Sequence, residues 1–158
     1  MSEAVPDPAR VVADADVLVA DLLVGGASRE ALELVWTHSW LELIASEALL
    51  ADATHVVTHL ADAALAADWQ EMIREEVRLV EPTLSGHPAL AAAAESDAAS
   101  VLSLNPALQR PGTGAAIRSL VATSVKSPTA FVTMTDPAVL YPTVVGGSYP
   151  GPDRAPRS

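Results

Sequence analysis

The chain has 158 residues, half of them apolar, with a formal net charge of −11, few aromatics and no cysteine. That length suits one domain with a single sizeable core, here built from small aliphatic side chains. The composition excludes a disulfide frame and thiolate chemistry, and no apolar run reaches the roughly 18 charge-free residues that suggest a membrane span.

The basic residues are eight Arg and a single lysine, Lys126. An acidic chain with almost no Lys and many small residues resembles proteins of salt-loving archaea. At about 1 M salt the Debye length is roughly 3 Å, so the self-repulsion is screened and net charge says little about nucleic-acid binding. At low salt the same charge argues against it. The opening MSEAVPDPAR has neither the basic start nor the apolar core of a signal peptide, so a cytoplasmic protein is expected.

Residues 1–9, with two prolines, are expected to be a loose lead-in to a domain over 10–145. Arg10 to Ala13 reads as a strand buried on both faces, running into Asp14. Asp16 to Val24 reads as a short helix stopped by Gly25-Gly26. Ser28 suits an N-cap, with Glu30 in the first turn, for a helix to about Thr37. Trp40 to Ala45 reads as a second strand, and Ser46 caps a helix running to about Leu65.

A further helix is expected over Asp68 to Val80, with Met72, Ile73, Val77 and Val80 on one face. Pro88 opens another helix to about Ser96. Ser100 to Leu104 reads as a third strand ending at Asn105-Pro106. Residues 105–119 read as a loop or broken helix around Pro111-Gly112, and Leu120 to Val125 as a fourth strand. Ser127 caps a helix with Pro128 at its first position. The Gly/Pro-rich residues 146–158 are expected to be disordered.

Strands alternating with helices predict an α/β fold: a three-layer α/β/α sandwich around a parallel sheet of four or five strands. In such sheets ligands bind beyond the carboxyl ends of the strands. Asp14 and Asn105 end two strands, so they form a constellation.

Six segments, over about residues 10 to 140, resemble the PIN domain. This fold is found in metal-dependent nucleases, in the toxins of toxin–antitoxin pairs and in RNA-processing enzymes. They are Val11-Val12-Ala13-Asp14-Ala15-Asp16-Val17-Leu18, Gly25 to Leu32, Ile44 to Asp52 with its Ser-x-x-Leu-Leu-x-acid pattern, His87 to Ala93, Val101 to Asn105, and Val125 to Phe131 with its Ser-Pro-x-x-Phe pattern. The resemblance implies acidic residues converging at the strand ends to hold Mg²⁺ or Mn²⁺. By position the first is Asp14. The second is Asp52, where the family usually has Glu. The third falls at Gly86 or His87, neither acidic, and the fourth is Asn105, where Asp is usual. Asp16 can assist at a position the family fills with Asn or Asp.

The implied function is a metal-dependent ribonuclease, active or degenerate, with Asp14, Asp52 and Asn105 as catalytic residues and, with Asp16, as metal ligands. The alternative is a non-catalytic PIN-fold module that binds RNA or protein. A homodimer and an antitoxin-like protein partner are implied as well, and no membrane association.

Each residue also has a plainer reading. Asp14 can simply cap the next helix, and Asp16 is the stronger N-cap candidate. Asp52 can be a solvated helix carboxylate, and Asn105 a turn residue. His55 and His59 share a helix face but lack the further ligands of zinc helices. Trp36, Trp40 and Trp69 suit a core, or Trp69 a subunit interface. Arg110, Arg118 and Lys126 can touch an RNA backbone or merely balance surface charge.

Overall fold

The computed structural model describes residues 5–83, 86–108 and 123–157. Its strands are β1 (Asp7–Ala13), β2 (Glu42–Ser46), β3 (Arg78–Val80), β4 (Ala98–Leu102) and β5 (Ser124–Lys126). Its helices are α1 (Ala15–Leu23), α2 (Gly26–Trp36), α3 (Glu47–Leu60), α4 (Ala63–Glu76), α5 (Pro88–Ser96), α6 (Pro128–Met134) and α7 (Pro137–Val144). The strands form one all-parallel sheet in the order β3-β2-β1-β4-β5. The expected three-layer sandwich is observed.

Alternation along β1 divides the core. Val11 and Ala13 join Leu43, Ala45 and Leu102 against α1, α2, α3, α4 and α6. Val12, Ile44 and Val101 face the other way, against the alanine-rich α5 and Leu49. Small side chains let α5 lie close to the sheet, so one helix covers most of that face. Trp69 is 2% exposed inside the first cluster, which removes it as an interface anchor. His55 and His59 are an exposed edge-to-face pair.

Several boundaries differ from expectation. β1 starts at Asp7, inside the expected lead-in. Gly25 and Gly26 do stop α1, both with positive φ (84° and 58°), which glycine adopts without a Cβ clash. The second helix then begins at Gly26, leaving Ser28 buried in its first turn rather than at the cap. The long third helix breaks at Asp62, whose side chain accepts from Leu65 N and caps α4. Residues Arg78–Val80 leave the helix and form edge strand β3. Residues 109–122, including Arg110, Arg118 and the start of the expected fourth strand, lie outside the described residues.

The tail expected to be disordered instead packs along α2. Tyr149 donates its hydroxyl to His38 Nε2 at 2.5 Å, Trp36 Nε1 donates to the Ala155 carbonyl, and Asp153 accepts from Ser39 N. Arg157 reaches into the fold and pairs with Asp21, Glu33 and Glu76. Gly and Pro make the tail unable to form a helix, but its polar side chains fix it from outside.

Candidate functional site

The sheet order puts a topological switch point between β1 and β4: the chain leaves β1 toward β2 on one side and returns to β4 on the other. Crevices at such points, beyond the carboxyl ends of the strands, are where open α/β sheets bind ligands. Asp14, one residue past β1, sits there and is 7% exposed.

The strand ladder positions this residue. Ala13 pairs with Leu102, Asp14 N donates to the Leu102 carbonyl at 2.9 Å, and Ser103 N donates to the Lys126 carbonyl at 3.0 Å. Asp14 and Ser103 therefore leave neighbouring strands side by side. Asp14 Oδ1 accepts from Ala15 N at 2.8 Å and caps α1. Its Oδ2 accepts from the fully buried Ser103 hydroxyl at 2.9 Å. Asp14, not Asp16, is thus the N-cap.

Asp16 lies in the first turn of α1. Its Oδ2 accepts from Leu104 N at 3.1 Å, tying the helix to the segment after β4. Its Oδ1 is buried and has no hydrogen-bond partner among the described residues. Burial pushes the Asp16 carboxyl above its ordinary value, and the Asp14 charge pushes it further. The hydrogen bond from Leu104, the backbone N–H of Val17 and the nearby His87 act in the opposite direction.

His87 caps α5, its Nδ1 accepting from Ala89 N at 3.1 Å. That contact puts the ring proton on Nε2, which lies 3.7 Å from Asp14 Oδ2. His87, at a position where the resemblance implies an acid, therefore presents an imidazole donor toward Asp14. Asn105 is close by sequence, its backbone N donating to Ser103 Oγ at 3.1 Å. Its side-chain oxygen is engaged by Ala107 N at 3.0 Å, the local turn contact typical of Asn. Asp52 is exposed on α3 and makes no hydrogen bond or ion pair among the described residues.

Sequence reasoning missed Ser103 and the pairing of His87 with Asp14. Ser103 had one available signal, its place directly after the apolar strand Val101-Leu102. The donor set suits a hard cation, which prefers oxygen ligands and keeps waters: two carboxylates lie together, one with a buried unpartnered oxygen. Among the described residues no group of three or more His, Asp or Glu side chains is arranged to hold a metal ion, so water would have to complete the shell of any ion held there.

A pH prediction follows. The folded Asp16 carboxyl holds its proton to higher pH than the unfolded chain, whose value is near the ordinary 3.8. The folded state therefore binds more protons in that window, and stability falls as pH rises from about 4 through the folded pKa. Without divalent ions, Asp16→Asn should match the wild type in acid and exceed its melting temperature at neutral pH. Denaturation curves across pH check this, and equal melting temperatures throughout contradict the burial argument.

Among the described residues no helix is long and apolar enough to cross a membrane. No curated protein and no solved structure matches the chain. Residues 5–157 match one family profile, described as "Family of unknown function (DUF7384)", and the chain belongs to that family.

Proposed function

We propose that this protein is a PIN-like hydrolase of RNA phosphodiesters that holds one Mg²⁺ or Mn²⁺ between Asp14 and Asp16. The observation that carries the reading is the buried, unpartnered Asp16 Oδ1 beside Asp14 at the β1–β4 switch point. A carboxylate oxygen in that position costs several kcal/mol in desolvation unless a proton or a cation offsets it.

Each residue then has a role. Asp14 and Asp16 supply the oxygen ligands. Ser103 fixes the orientation of Asp14 through the hydroxyl bond, and Leu104 N fixes Asp16. His87 Nε2–H, held by the α5 cap, offers a donor to a phosphate oxygen entering beside Asp14. A divalent ion bound there would lower the pKa of its water and offset charge growing on the phosphate.

Titration of Mn²⁺ in high KCl tests the reading, with melting temperature and cleavage of a mixed RNA pool as readouts. Mn²⁺ at about 100 times its dissociation constant should add about 2.7 kcal/mol of stability. Cleavage should appear over the same concentrations. If Mn²⁺ alters neither quantity, the reading fails.

A second reading is a metal-binding module without hydrolysis. The turn contact of Asn105 and the exposed Asp52 favour it, since neither side chain is directed by a contact toward Asp14. Stabilisation by Mn²⁺ with no cleavage of any RNA selects this reading over the first.

A further inference from the structure

A second concavity lies away from Asp14, against the β4–β5 edge of the sheet. It has a volume of about 560 Å³, within the range of small-molecule sites. Among the described residues its apolar wall includes Leu41, Phe131, Met134, Val139 and Leu140. Met134 and Val139 are 69% and 72% exposed, so the apolar surface continues to the rim.

Among the described residues the wall carries one cation. Lys126, the single lysine of the chain, is half-buried on β5 and its Nζ donates to Ser100 Oγ at 3.2 Å. It makes no ion pair among the described residues. Burial lowers the pKa of its ammonium. In a chain with 20 acidic residues, a half-buried ammonium with no carboxylate paired to it among the described residues is unusual, because an Asp or Glu there would offset its desolvation. Ser100 is 6% exposed and adds a hydroxyl beside the ammonium.

We propose that this pocket binds a small amphipathic monocarboxylate. Its carboxylate meets Lys126 and Ser100, and its aliphatic or aromatic body lies along Phe131, Leu140 and Met134. A single negative charge fits better than two. Asp136 also lines the pocket, at its exposed rim, with Oδ1 accepting from Ala138 N, and would repel a dianionic head.

The test is calorimetric titration of the full chain in high salt with octanoate, and separately with 1-octanol as an uncharged body of the same length. Octanoate should bind saturably with one site, and octanol at least tenfold more weakly. Lys126→Met should weaken octanoate at least tenfold and leave octanol unchanged. Met134→Trp, placed at the exposed rim so that folding is preserved, should weaken both by filling the mouth. Absence of saturable octanoate binding to the wild type overturns the proposal, as does equal binding of octanoate by folded Lys126→Met. Equal affinity for octanoate and octanol overturns it too, since the ammonium would then contribute nothing.

Discussion

Replacing Arg157 by Met is expected to destabilise the protein by about 3–5 kcal/mol, the usual cost of leaving buried charge without its partner. In a domain of this size that lowers the melting temperature by roughly 6–20 °C. The guanidinium is 14% exposed and binds Asp21 through two parallel bonds, at 2.7 and 3.0 Å. Its Nε donates to Glu33, and Nη1 lies 3.3 Å from Glu76 Oε1. Removing it leaves three carboxylates facing one another, of which Asp21 is 5% exposed. Burial already raises the Glu76 pKa, against the opposing pull of Arg157. In the variant the Glu76 carboxyl loses that pull and should hold its proton more tightly in the folded state. The loss should therefore shrink as pH is lowered toward 5 and grow toward 8.

Two further variants identify the cause. Combining Arg157→Met with Asp21→Asn, Glu33→Gln and Glu76→Gln should restore most of the stability, because no uncompensated charge remains. Arg157→Lys should fall between, since an ammonium cannot reproduce the two-pronged bond to Asp21. Equal melting temperatures for the wild type and Arg157→Met would mean that the tail is not held by this contact.

The same contact explains why the tail was misread from sequence. Gly, Pro and Ser composition reports what a segment cannot do alone. It does not report that Arg157 meets carboxylates 81 to 136 residues away in the chain. Where local signals sufficed, the reading was close. The strands around Val11-Val12, Leu43-Ile44 and Val101-Leu102 are short apolar runs buried on both faces. The helices after Ser46 and Ser127 begin where their caps predict, with side chains accepting from Leu49 N and Ala130 N. β3 was hidden because Ile73, Val77 and Val80 mimic helical spacing, whereas the backbone turns extended at Val77. α7 was hidden by Pro142 inside it.

The site was partly legible for the same reason. Asp14 follows an unmistakable central strand, so its place at the crevice could be read from the sequence. That Asp14 caps α1 while Asp16 bonds Leu104 depends on how α1 leaves the sheet, which no spacing encodes. Ser103 and His87 become neighbours of Asp14 only through the parallel β1–β4 pairing and the docking of α5 on β1, both non-local.

Asp14→Asn should reduce Mn²⁺-dependent RNA cleavage by about 10²–10³-fold, a loss of the size seen when one directed transition-state contact is removed. It should also abolish most of the Mn²⁺-induced rise in melting temperature, because a hard cation loses an anionic oxygen and meets a neutral amide. Without metal, it should cost less stability than Asp14→Ala. Asn caps a helix about as well as Asp and its Oδ1 can still accept from Ala15 N, although the amide nitrogen at the Oδ2 position cannot accept from the Ser103 hydroxyl. Asp14→Ala should behave differently, costing about 1 kcal/mol for the cap and more for the lost acceptor of the buried Ser103 hydroxyl. Ser103→Ala keeps both carboxylates and removes the bond that orients Asp14, together with the acceptor of Asn105 N, so it should lower metal affinity or cleavage by about 10–100-fold. The ordering is the test: Asp14→Asn must harm chemistry most and stability least, whereas Asp14→Ala harms both. If Asp14→Asn cleaves RNA as well as the wild type, the ion is not held here. If it fails to fold while Asp14→Ala folds normally, the capping geometry is wrong, and the assignment of Asp16 as the partner ligand falls with it.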